Sequence, residues 1–138
     1  MLRVHVTGVG DAFTETYHNA SFCIEEVASG LRLQIDCPPA FPRVLADFRH
    51  KSGRDLGVGN IDHLLLTHLH GDHVLGLPGL LSTLALNGRV EPLTVIGPDG
   101  LGRLLSGFAD VGVLNLPFPL ELTELVDDRG DGASTELR

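Results

Sequence analysis

Cationic side chains are scarce in this sequence, with 10 Lys and Arg against 18 Asp and Glu and a formal net charge of -8. The totals therefore show no electrostatic footprint for holding nucleic acid. The basic residues are also dispersed along the chain, which excludes a polybasic segment for a membrane surface. Two cysteines are too few for a disulfide framework. Cys23, inside Ser21-Phe22-Cys23-Ile24, and Cys37, after Ile35-Asp36, are expected as small buried thiols in a reducing compartment. No window approaches the ~20 apolar residues of a membrane span. The opening Met1-Leu2-Arg3-Val4-His5-Val6-Thr7 alternates and lacks the basic start and apolar run of a signal peptide, so the expectation is a cytoplasmic protein.

What is present suits one domain: 138 residues, of which 43% are hydrophobic, can bury a core. Leu2, Val4 and Val6 alternate with Arg3, His5 and Thr7, the period of a strand with one face buried. Ala20 to Val27 and Leu31 to Ile35, separated by Ala28-Ser29-Gly30, predict a hairpin. Phe41, Val44, Leu45 and Phe48 fall at helical spacing up to about His50. Ile61 to Leu66 has the apolar run of a buried strand. Helical periodicity returns from Val74 through Leu86, stopped by Asn87-Gly88. A strand at Leu93 to Ile96, a helix from Leu101 to about Phe108, and apolar strands at Val111 to Leu116 and Leu120 to Val126 complete the pattern. The fold class is α/β, a mixed sheet with helices on one face. Domain organisation is read as 1–126 folded and 127–138 a polar, disordered tail. Its Arg129-Gly130-Asp131 is a chance occurrence of an adhesion tripeptide.

Chemistry concentrates in Thr67-His68-Leu69-His70-Gly71-Asp72-His73. Three imidazoles and a carboxylate are what a borderline-soft divalent ion takes as ligands. His68 and His70, two apart as a strand runs out, project to one side, and Gly71 permits the turn that returns Asp72 and His73 toward them. A polar turn capped by Asp72 would need one side chain, not three clustered imidazoles. The other histidines have plainer readings. His5 falls on the polar side of its strand, His50 near a helix end and His63 ahead of a strand core, all as surface residues, while His18 in its loop is a candidate substrate contact. Gly8-Val9-Gly10-Asp11 reads as a tight turn, since no third glycine in register opens a helix there.

His68-Leu69-His70-Gly71-Asp72-His73 resembles the His-x-His-x-Asp-His signature of the metallo-β-lactamase superfamily. The flanks Ile61-Asp62-His63-Leu64-Leu65-Leu66-Thr67, Gly76-Leu77-Pro78-Gly79-Leu80-Leu81-Ser82-Thr83 and Leu93-Thr94-Val95-Ile96-Gly97-Pro98 are similar to its ribonuclease Z branch, and the likeness spans roughly residues 2 to 126. The resemblance implies the N-terminal half of an αββα sandwich. It implies zinc, two ions per complete site with manganese or iron as alternatives, His68 and His70 on one ion and Asp72 and His73 on the other. Asp72 is then also catalytic, Asp36 is the aspartate supporting the metal loop, and a hydroxide held by the metals attacks a phosphodiester or another ester.

The chain departs from that family in two places. Each zinc in the family takes a further His from the second half, and an Asp bridges the ions, yet no His follows His73 here. Cys37 is followed by Pro38-Pro39 where ribonuclease Z has Gly-Glu. A small phosphodiester or ester is thus expected as substrate in preference to RNA. The half-sandwich would leave an apolar sheet face open, which points to a homodimer or a complementary second half and to a chain truncated from a longer hydrolase. The alternatives are a non-catalytic metal-binding or interaction module and a thioester or lactone hydrolase of the same superfamily.

Overall fold

The structure, a computed structural model, describes residues 1–126 together with the backbone of Ser134–Leu137. β1 (Leu2–Gly8) pairs antiparallel with β2 (Ser21–Glu26), which turns back into β3 (Arg32–Ile35). From β3 the sheet continues in parallel through β4 (His63–Leu65), β5 (Leu93–Pro98) and β6 (Leu120–Leu125). β7 (Ser134–Leu137) pairs antiparallel with β6, and the strand order follows the chain order. Residues 127–133 and 138, with Arg129-Gly130-Asp131 and most of the expected tail, lie outside the described residues.

α1 (Phe41–Ser52) connects β3 to β4, α2 (Gly71–Val74) and α3 (Leu77–Leu86) connect β4 to β5, and α4 (Leu101–Asp110) connects β5 to β6. Parallel crossovers share one hand, and these all step the same way along the sheet, so their helices collect on a single face. The core lies between. Leu64, Val95 and Leu122 from the strands meet Phe41 and Val44 of α1, Leu77, Leu80, Leu81 and Leu84 of α3, and Leu101 and Leu105 of α4, all buried. Both cysteines are free and buried in this layer. Among the described residues no helix is long and apolar enough to cross a membrane.

Three expectations are corrected. The helix read from Val74 to Leu86 is two helices, broken at Leu75 and Gly76. A Cβ on Gly76 would lie 1.9 Å from the Pro38 carbonyl oxygen, so the loop after β3 presses on the break itself. Val111 to Leu116 is not a strand. Gly112, at φ 76°, donates to the Ala109 carbonyl, and Val113 donates to Phe108, so the segment closes the end of α4 while Leu114 is buried in the core.

The third correction concerns β1, where the alternation is present but its faces are exchanged. His5, only 5% exposed, and Thr7 turn inward, whereas Leu2, Val4 and Val6 are 70%, 60% and 47% exposed. The inward polar groups are satisfied, which is why they tolerate burial. His5 Nε2 lies 3.1 Å from Glu25 Oε2, its ring meets Phe48 of α1 edge-on, and the Thr7 and Ser21 hydroxyls are 2.7 Å apart. His5 is therefore not a surface residue. On the opposite face the register aligns Val6, Phe22, Ile35, Leu65 and Ile96 in one transverse apolar row, and none of them belongs to the buried cluster packed under the described helices.

Candidate metal centre

The loop that follows β4 leaves the middle of the sheet, held by both neighbours. Asp36 N donates to Leu65 O and Leu66 N donates to Ile96 O, each at 2.8 Å, so the ends of β3, β4 and β5 stay in register as the chain departs. Leu66 is buried and anchors the exit, and the next residue, Thr67, begins the metal-type sequence.

Asp36 ends its strand in the left-handed region at φ 60°, where Asp is better tolerated than most L residues. Its carboxylate is 3% exposed and accepts from both sides of the loop. Thr67 N donates to Oδ1 at 2.8 Å, the Thr67 hydroxyl lies 2.9 Å from both carboxylate oxygens, and His73 Nδ1 lies 2.8 Å from Oδ2. The backbone repeats the connection, since Cys37 N donates to His73 O at 2.8 Å and Gly76 N donates to Cys37 O at 2.9 Å. The Cys37 thiol is pushed well above its usual pKa by burial, then by Asp36, and stays a protonated packing group.

Held this way, the histidines converge. The His68 and His73 ring centroids are 4.0 Å apart, and those of His68 and His70 are 4.7 Å apart. His73 Nε2 is 3.2 Å from Asp72 Oδ2. His70 occupies the cap position of α2, and no side chain caps that helix, so Asp72 sits in the first turn without the capping role a plain turn would give it. His50 lies in the last turn of α1, and His63 is half-buried on β4. His18 is committed elsewhere. Its Nε2 lies 3.0 Å from Asp47 Oδ2 on α1, and that hydrogen bond, with Arg43, holds the Asp47 carboxyl below its usual range. Gly8-Val9-Gly10-Asp11 is not the tight turn expected: Gly8 ends β1, Gly10 bridges Asn19, and the turn follows at Asp11–Thr14, where Thr14 N donates to Asp11 O at 3.2 Å.

The donor types suit zinc, and the Asp72 to His73 separation matches the roughly 3.3 Å between two ligands of one tetrahedral ion with bonds of about 2.0 to 2.1 Å. The donor number does not close: among the described residues no group of three or more His, Cys, Asp or Glu is placed to hold an ion. The geometry thus offers pairs of donors. Thr67 is the residue that reading the sequence passed over. Its one signal is its place between a strand end and His68, and nothing in the sequence says that its hydroxyl lies against Asp36, 31 residues away.

Residues 2–105 match a protein-family model described as anti-Pycsar protein Apyc1. Ribonuclease Z of Porphyromonas gingivalis is 38% identical over 119 residues, covering 86% of this chain and 37% of the relative. Ribonuclease Z of Clostridium kluyveri is 38% identical over 125 residues, covering 91% of this chain and 39% of the relative. The chain therefore spans less than two fifths of the length of these curated relatives. The crystal structure of human tRNase Z, short form, superposes with a TM-score of 0.76 at 28% identity, over 94% of this chain and 47% of that one.

Proposed function

This chain belongs to the family described as anti-Pycsar protein Apyc1, within the ribonuclease Z-like metallo-β-lactamase superfamily, and on that premise we propose that it is the N-terminal half of a metal-dependent phosphodiester hydrolase. His68 and His70 would hold one divalent ion, Asp72 and His73 the other, with zinc the natural choice for these donors and manganese or iron as alternatives. Bound there, such ions supply Lewis acidity and acidify a water at neutral pH. The chain's own part is to aim the donors. The His73 Nδ1–H donates to Asp36 and so leaves the Nε2 lone pair free to ligate, beside the Asp72 carboxylate. This pinned pair is the observation that carries the proposal.

The donor set is completed, in this reading, by whatever covers the open sheet face. Val6, Phe22, Ile35, Leu65 and Ile96 form an apolar row at neighbouring strand positions, a surface that calls for a complementary half or a second copy of the chain. The substrate is a small phosphodiester in preference to RNA, since the net charge of -8 offers no general attraction for a polyanion.

Hydrolysis of a chromogenic phosphodiester, assayed with zinc or manganese by the chain alone and together with a complementary half, tests the proposal. Turnover abolished by chelator and by His68→Ala is expected. Bound metal without turnover in either preparation would instead favour a non-catalytic metal-binding module, and turnover of a thioester or lactone alone would move the substrate class.

A further inference from the structure

We propose that Thr67 is a positioning residue that fixes the tautomer of His68, so that one buried carboxylate, Asp36, sets a histidine in each of the two donor pairs. The inference rests on the metal-site reading only for its consequence; the proton arrangement itself follows from the hydrogen bonds.

The Thr67 hydroxyl has three neighbours, Asp36 Oδ1 and Oδ2 at 2.9 Å each and His68 Nδ1 at 3.0 Å. A hydroxyl carries one proton and two lone pairs, and an ionised carboxylate can only accept. The hydroxyl proton is therefore committed to Asp36. Toward His68 the same oxygen can only accept, so His68 Nδ1 must carry a proton. A neutral imidazole protonated at Nδ1 has its lone pair on Nε2. His73 reaches the same state directly, because its Nδ1 lies 2.8 Å from Asp36 Oδ2. Asp36 thus acts on His73 by contact and on His68 through one hydroxyl. His70, at the cap position of α2, is outside this relay.

The consequence is a loop whose donors are oriented before any ion arrives. Two rings 4.0 Å apart both turn Nε2 away from Asp36, and neither has to change tautomer when it ligates. Supporting groups of this kind typically change metal affinity by about ten- to a hundredfold when removed.

Ring-nitrogen chemical shifts of the metal-free 138-residue chain, taken under alkaline conditions where imidazoles are neutral, test the relay without any turnover. The expected spectrum has His68 and His73 both protonated at Nδ1. Thr67→Val, which keeps the shape and loses the hydroxyl, should leave His73 unchanged and return His68 to the mixed tautomers of a free imidazole, while Thr67→Ser should restore the wild-type pattern. A wild-type His68 protonated at Nε2, or a His68 indifferent to Thr67→Val, would overturn the proposal. Should the Val variant not fold, the wild-type spectrum decides alone. Zinc affinity by chelator competition supplies the second readout, with a loss of about ten- to a hundredfold in Thr67→Val and recovery in Thr67→Ser. Wild-type chain with the stated tautomers but no zinc binding would sink the metal-site reading and leave the relay standing.

Discussion

Asp36 Oδ2 lies 2.8 Å from His73 Nδ1, a contact between residues 37 apart that ties the end of β3 to α2, at the close of the metal-type sequence. Because the carboxylate is buried and also receives both donors of Thr67, its loss would leave several polar groups unpaired at once.

Asp36→Ala should therefore destabilise the chain by roughly 3 kcal/mol, the cost of leaving several hydrogen-bond donors around a buried site without their acceptor. Asp36→Asn keeps the volume and some acceptor capacity and should cost less. Urea unfolding of the three proteins checks the order, and an alanine variant as stable as wild type would mean that the loop holds its shape without Asp36.

The exchanged faces of β1 make a sharp pair of expectations for the chain on its own. Val6→Thr, on the open face, should change stability by no more than about 0.5 kcal/mol. Leu64→Ala, fully buried under the helices, should cost about 2 to 5 kcal/mol. With a complementary half or second copy bound, Val6→Thr should become costly, and thermal melts of the chain alone and in the complex measure both effects.

Gly76 and Gly79 lie three residues apart and differ in their surroundings. A Cβ at Gly76 would strike the Pro38 carbonyl oxygen at 1.9 Å, while one at Gly79 meets nothing within 4 Å. Gly76→Ala should lose about 3 kcal/mol or fail to fold, because backbone cannot yield as a side chain can. Gly79→Ala, inside α3, should be neutral or stabilising by up to about 1 kcal/mol. Equal melting temperatures for the two variants would contradict the packing of the Pro38 loop on the helix break.

Acid should weaken the β1 to β2 pairing in a defined window. The Glu25 carboxyl is lowered from 4.5 to about 2, first by its hydrogen bond with His5, then by Arg32 and Arg3. A carboxyl depressed on folding adds stability above its unfolded pKa and loses it as pH falls through the folded one, so this contribution should decline between pH 4.5 and about 2. Glu25→Gln should flatten the decline over that range, and urea midpoints measured across it for both proteins read the difference.

The sequence by itself determined most of the strands and helices and the identity of the loop, because periodicity and turn residues act over a few neighbours. His68, His70, Asp72 and His73 are legible for the same reason: they lie within six consecutive positions. Tertiary structure decided the rest. Alternation in β1 reveals that a strand has two faces, but which face the helices cover depends on the hand of crossovers formed far along the chain, and so His5 went inward and Val6 outward. The split between α2 and α3 came from the Pro38 carbonyl pressing on Gly76, and the closing turn at Gly112 from the end of α4 packing Leu114 inward. Asp36 and Thr67 meet only because parallel β3 and β4 end side by side. A hydrogen bond between residues 31 apart leaves no periodic trace in a sequence, and it is such bonds that aim the histidines.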